Sequence, residues 1–234
     1  MKLITLAILS GYFFLWGCLQ SDNEPQSDRI TPVIIIDSTQ VLTELKRGDI
    51  LVKPNHNWLP GTVWVEGGNG FGHAAIVQEG SIGSSSMEVL SNAVIFESQA
   101  RDVPDEFQLR RVKAYQPGTD FRTDNITFAP VRIGVMYRLR FNLTEVEIDT
   151  IMAYITRQEN GISSWRSMKS ELQGNHNGTG NQRTHWYCSH LIREAFLYST
   201  GVDLDANGGL IVYPNDLIGA TISDSDTIGS RFRF

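Results

Sequence analysis

The sequence predicts an α+β domain around an antiparallel sheet, and three features predict it. Short apolar runs broken by Gly, Pro, Asn and Ser fill positions 49 to 139; a helical period follows; and strands and helices never alternate as βαβ units would. In chain order, 49–52, 74–77 and 93–96 are β-rich runs of strand length, 107–115 is a further strand, and 131–139 is another. Between them 80–86 is a Gly/Ser turn, and Asp49 reads as a turn or strand-entry residue. Thr144 with Glu147 three residues on is a capping-box signature, and Ile148, Ile151, Met152 and Ile155 share one helical face that Gly161 closes. The Gly/Asn-rich stretch 174–180 reads as a loop. After it Cys188, Leu191, Ile192, Ala195 and Phe196 follow i, i+3, i+4, i+7, i+8 spacing, with Gly201 as the stop.

Composition narrows the function. The 234 residues suit one full-sized domain, and 41% hydrophobic with 20% charged residues exclude a mostly disordered chain. A net charge of -6 argues against a broad nucleic-acid-binding face, which needs clustered Lys and Arg. Two cysteines exclude a disulfide scaffold and a Cys-only zinc site. No H-E-x-x-H motif and no Cys/His cluster at zinc spacing occurs, so neither a metal nor another cofactor is expected.

The first cysteine directly follows a segment that reads as a targeting signal. Met1-Lys2 is a short basic start, and the apolar run 3–17 is shorter than the roughly 20 residues of a membrane span. The run ends Leu15-Trp16-Gly17-Cys18 before a polar stretch, which resembles a bacterial lipobox, with Trp16 where a small residue is usual. That resemblance implies a signal peptide over 1–17, a lipidated Cys18 opening a flexible tether over 18–39, and a domain over 40–234. Several acyl chains anchor stably, since each buried methylene contributes roughly 0.8 kcal/mol. The expected location is the bacterial cell envelope, on the periplasmic or outer-surface face, held to the membrane through the N-terminal lipid.

The second cysteine opens a predicted helix, where the N-terminal partial charge and the amide donors favour thiolate. A lone helical Cys also suits a small buried hydrophobe, and spacing alone leaves both readings open. A nucleophilic thiolate needs a base. Of His56, His73, His176, His185 and His190, only His73 opens a predicted strand, a rigid platform; His190 points to a different helix face from Cys188.

Four segments in order carry a family likeness: Gly48-Asp49-Ile50-Leu51, Gly72-His73-Ala74-Ala75-Ile76-Val77, Ile95-Phe96-Glu97-Ser98 and Tyr187-Cys188-Ser189-His190-Leu191. They resemble the circularly permuted NlpC-type papain-like cysteine hydrolases, the YiiX-like branch, in which the strand histidine precedes the helix cysteine. Val135-Met136-Tyr137-Arg138, the Thr144 helix and Tyr213-Pro214-Asn215-Asp216-Leu217 resemble later elements, so the likeness covers roughly 40–220. It implies a permuted papain-like fold, an antiparallel sheet or small barrel packed against helices. It makes Cys188 the nucleophile, His73 the general base and acid, and Glu97 the group orienting His73. Tyr187 and Ser189 become candidates for pocket or oxyanion support, with packing beneath the helix the other reading of Tyr187. His190 stands where the family commonly has an acid, and Trp165-Arg166 where it tends towards Tyr-Asp.

The expected activity is a cell-envelope lipoprotein hydrolase that cleaves an amide, in a cell-wall peptide or related amino-acid amide, through a Cys acyl-enzyme. One alternative is a lipid acyltransferase or phospholipase on the same fold, with Trp58, Trp64, Phe71, Trp165 and Trp186 lining an acyl surface. Another is a catalytically silent envelope-binding module. No nucleic-acid partner is expected, and nothing in the sequence sets an oligomeric state.

Overall fold

The computed structural model describes residues 40–54, 71–99, 103–118, 120, 122–129, 136–159, 161–164, 185–205, 208–220 and 229–234. The expected signal peptide, Cys18 and tether, and also His56, Trp58, Trp64, Trp165 and the 174–180 loop, lie outside them.

A six-stranded, wholly antiparallel sheet forms the frame, in the order β10-β7-β2-β3-β5-β6. Its strands are β2 (Ile50–Pro54), β3 (Phe71–Glu79), β5 (Val94–Ser98), β6 (Leu109–Lys113), β7 (Tyr137–Phe141) and β10 (Gly229–Arg233). Two small pairs flank it: β1 (Glu44–Leu45) with β4 (Ser81–Ile82), antiparallel, and β8 (Ile162–Ser163) with β9 (His185–Trp186), parallel. Among the described residues, helices α1 (Ser86–Asn92), α2 (Glu145–Thr156), α3 (Cys188–Thr200) and α4 (Pro214–Gly219) join the sheet in an α+β fold. Among the described residues the sheet is open from β10 to β6, so of the two expected architectures the sheet forms and the small barrel does not.

Strand alternation splits the core in two. Ile50, Val52, Ala74, Ile76, Phe96, Leu109 and Leu139 join Ile151 and Ile155 of α2 and Leu191, Ile192, Ala195 and Phe196 of α3. Leu51, Ala75, Val77, Ile95 and Val112 form the other cluster with Val89 and Leu90 of α1, Phe128, Met136 and Phe234. Both faces are covered, which is why β2, β3 and β5 read as near-continuous apolar runs.

Local signals explain most boundaries. Gly48 takes φ 90 in the turn into β2, and its N–H donates to Val77 O. Asp49, the strand-entry residue, is buried; its carboxylate accepts from Lys46 N (2.7 Å) and from Arg140 Nε and Nη2 (2.7 and 2.8 Å). Helix α2 carries the full capping box between Thr144 and Glu147 and buries Ile151, Met152 and Ile155, along with Tyr154. It ends at Thr156, short of Gly161, because the chain passes into turns whose amides donate to Ile155 O, Thr156 O and Gln158 O. Helix α3 stops at Gly201 (φ 74), whose N–H donates to Leu197 O.

Other elements also differ from expectation. The last predicted strand begins at Tyr137 and runs to Phe141 within the described residues, because there Tyr137, Leu139 and Phe141 reach the core. The 80–86 turn holds β4 and ends at the start of α1, which Ser85 caps by accepting from Glu88 N. Strand β10 was not predicted; its register against β7 comes from pairing at the sheet's edge, which no local pattern announces.

Candidate active site

The segment before α3 meets the sheet where β3 and β5 part. The β3–β5 ladder runs from Ile76↔Phe96 towards Glu79↔Val94. Beyond its first rung, Ser98 Oγ donates to Trp186 O (2.8 Å), and the Ala74 amide bonds the Cys188 sulfur. That places the first residue of α3 against the beginning of β3.

Cys188 Sγ and the His73 ring share a hydrogen bond, and His73 Nε2 lies 3.1 Å from Glu97 Oε2. With Nε2 committed to the carboxylate, Nδ1 is the nitrogen left to face the thiol. Behind Glu97 stands Arg110, whose Nε (3.0 Å) and Nη2 (2.8 Å) both donate to Glu97 Oε1. Glu97 and Arg110 are direct register partners across β5 and β6. The Phe128 ring, 5.8 Å from the His73 ring, packs against the imidazole. All five residues are buried, and the Glu97 side chain is wholly so.

Burial by itself opposes charge on each group, and each neighbour reverses that opposition. For Cys188, burial pushes the thiol up, but the His73 charge and hydrogen bond, with the Ala74 amide, bring it below its ordinary value of 9.0. For His73, burial disfavours the imidazolium, yet the Cys188 charge and hydrogen bond, and then Glu97, hold its proton on up to about 9. Glu97 is likewise pushed up by burial and held below 4.5 by His73 and Arg110. Both shifts favour the thiolate–imidazolium form of the pair, the form a nucleophile with its own proton donor requires.

Helix α3 adds its N-terminus to this arrangement. Tyr187, at the cap position, supplies no side-chain acceptor to the first-turn amides. An anion forming at the Cys188 sulfur meets the positive end of the helix.

Three of the residues expected to work together, Cys188, His73 and Glu97, are in one hydrogen-bonded chain. Tyr187 and Ser189 stand beside it with other engagements. Tyr187 Oη accepts from Val212 N (2.9 Å), and Ser189 Oγ donates to Val212 O (2.6 Å). Ser189 has a single proton, already given to Val212, so its 4.0 Å contact with Cys188 Sγ leaves thiolate stabilisation to His73 and the Ala74 amide. Together the two side chains grip both backbone groups of one residue, holding the segment that leads into α4. Burial raises the Tyr187 phenol above its ordinary value, so it stays protonated.

Arg110 escaped the sequence reading. The signal lay in the pairing: once Glu97 is placed on β5, the residue opposite it on β6 is the one that meets its carboxylate. His185 is exposed on β9. His190 is fully buried between Trp186 (ring centroids 5.4 Å apart) and Tyr187 (5.0 Å). Among the described residues no group of three or more His, Cys, Asp or Glu is arranged to hold a metal ion.

No protein-family model matches this chain. Among curated proteins it is similar to the uncharacterized protein YycO of Bacillus subtilis (strain 168), with 31% identity over 87 residues. That match covers 34% of this chain and 36% of that protein, so the chain spans about a third of the relative it matches.

Proposed function

We propose that this protein is a cysteine hydrolase that cleaves an amide bond through a Cys188 acyl-enzyme. The observation carrying the proposal is the buried thiol–imidazole–carboxylate chain of Cys188, His73 and Glu97 at the start of α3. The Cys188 thiolate attacks the amide carbonyl carbon, forming a C–S bond and an oxyanion. The backbone N–H groups of the first turn of α3 face that oxyanion and lower the barrier. His73 passes its Nδ1 proton to the amide nitrogen, the C–N bond breaks and the amine leaves, giving a thioester. A water then gives a proton to His73 as its oxygen bonds the acyl carbon. The C–S bond breaks, and the products are a carboxylic acid and the restored thiolate–imidazolium pair.

The motif resemblance and the lipobox-like start support a cell-wall peptide or related amino-acid amide as substrate, met at a bacterial envelope by a domain tethered through lipid on Cys18. No cofactor enters any step. The test is to incubate the protein with peptidoglycan fragments and, separately, with phospholipid vesicles, and to follow products by mass. The expected result is a peptide product gaining the mass of one water, with turnover lost by on the order of 10³-fold or more in Cys188→Ala. Fatty-acid release or acyl transfer without peptide cleavage makes the enzyme a lipid acyltransferase or phospholipase. No product from either, together with slow Cys188 alkylation that His73→Ala does not change, makes it a silent binding module.

A further inference from the structure

We propose that Arg110 is a positioning residue for this reaction: its two-point grip on Glu97 fixes the carboxylate that His73 needs and balances the charge of the site. The inference rests on the hydrolase reading and extends it by one residue, on a strand that no motif marks.

Both Glu97 oxygens are assigned. Oε1 accepts twice from Arg110 and Oε2 faces His73 Nε2, so the guanidinium decides which oxygen, and at what angle, the imidazole meets. A guanidinium presents its N–H groups in a rigid planar fork, which turns one carboxylate oxygen into a fixed point. Arg110 sits on the same sheet face as Val112, both buried, while Arg111 between them is exposed. A buried ion pair is seldom the most stable filling for such a position, since well-packed apolar side chains do as well or better. A role in the site accounts for a charge there.

The arithmetic of charge gives that role content. Thiolate, imidazolium, carboxylate and guanidinium sum to zero. Without Arg110 a dry site would hold two negative groups and one positive, and a proton would settle on Glu97 or on Cys188. Either outcome weakens the thiolate–imidazolium pair: one removes the thiolate, the other removes the anion that supports the imidazolium. The charged groups facing Glu97 are His73 from β3 and Arg110 from β6; Cys188, from α3, reaches it through His73.

The test is the pH dependence of Cys188 alkylation by iodoacetamide in the full chain. In Arg110→Gln the acid-side midpoint should rise by about one pH unit, a roughly tenfold slower reaction on the acid limb. Arg110→Lys, which keeps the charge but not the planar fork, should recover part of that shift and leave the midpoint between those of the wild type and Arg110→Gln. Glu97→Gln/Arg110→Gln should match Glu97→Gln alone, because Arg110 acts through the carboxylate. The double variant removes both buried charges together, which preserves folding better than stranding one. An unchanged midpoint in Arg110→Gln overturns the inference. So does an equal rise in Arg110→Lys, or a further rise on adding Arg110→Gln to Glu97→Gln. His73→Ala separates the two levels: if it fails to slow alkylation, the hydrolase reading falls. If it slows alkylation while Arg110→Gln changes nothing, only the role of Arg110 falls.

Discussion

Two buried His–Glu–Arg sets occur in this structure, one on the strands beside the start of α3 and one on α3 itself, and they differ in everything but composition. His73, Glu97 and Arg110 come from three neighbouring strands, with a 3.1 Å contact from Nε2 to the carboxylate and both carboxylate oxygens bound. His190, Arg193 and Glu194 come from positions i, i+3 and i+4 of one helix. There His190 Nε2 is 3.4 Å from Glu194 Oε1, outside hydrogen-bond geometry, and among the described residues neither ring nitrogen has a hydrogen-bond partner. Arg193 divides itself between Glu194 and Asp203, where the Arg110 Nε and Nη2 both close on one Glu97 oxygen. Only the first set touches a thiol. Residue types alone therefore do not make a proton-transfer chain; strands fix three groups in a line, whereas helical spacing leaves the second imidazole held by its aromatic neighbours.

The sharpest way to break this contrast is to remove each imidazole in turn. His73→Ala should slow Cys188 alkylation at pH 6 by about 100-fold. His190→Phe, which keeps the packing against Trp186 and Tyr187, should change it less than about twofold. Equal effects would erase the distinction between the two sets.

Acidity gives a second handle. Hydrolysis should form a plateau that falls on the acid side as Cys188 takes a proton, at a pH below the ordinary 9.0, and on the alkaline side near 9 as His73 loses its own. Stability follows the same signs. The His73 contribution is full below its ordinary 6.5 and lost as pH rises through about 9. The Cys188 and Glu97 contributions are full above their ordinary values and lost as pH falls through the lowered ones. Cys188→Ala removes the largest support of the imidazolium, so its melting temperature should begin to fall at a lower alkaline pH than the wild type. An unchanged alkaline limb would contradict the coupling.

The smallest effect tests the shared element between the sets. Ser189→Ala strands the buried Val212 carbonyl and should cost about 1–3 kcal/mol in denaturant unfolding, with the alkylation profile unmoved. A shifted profile would return Ser189 to the chemistry.

The sequence carried the parts of this picture that depend on local pattern. Apolar runs marked β2, β3 and β5 because these strands are buried on both faces. Thr144 and Glu147 marked the start of α2 because a capping box is written in four residues. Cys188 and Gly201 bracketed α3 because apolar spacing and a left-handed stop are local as well. What stayed hidden depends on pairing. Arg110 matters only because β6 lies beside β5 with Arg110 opposite Glu97, and β10 exists only because β7 offers it an edge. Tyr187 and Ser189 flank the nucleophile in sequence, but their shared bonds to Val212, more than twenty positions away, were not legible there.

That grip makes the backbone of one residue, Val212, a reporter of the site. Its amide hydrogen is bound to a phenol immediately before the nucleophile, and its carbonyl to a hydroxyl immediately after it. Exchange of that single hydrogen with solvent deuterium requires the start of α3 to let go. Its protection therefore measures, in the unmodified protein and without any substrate, how often the cradle of the thiol opens.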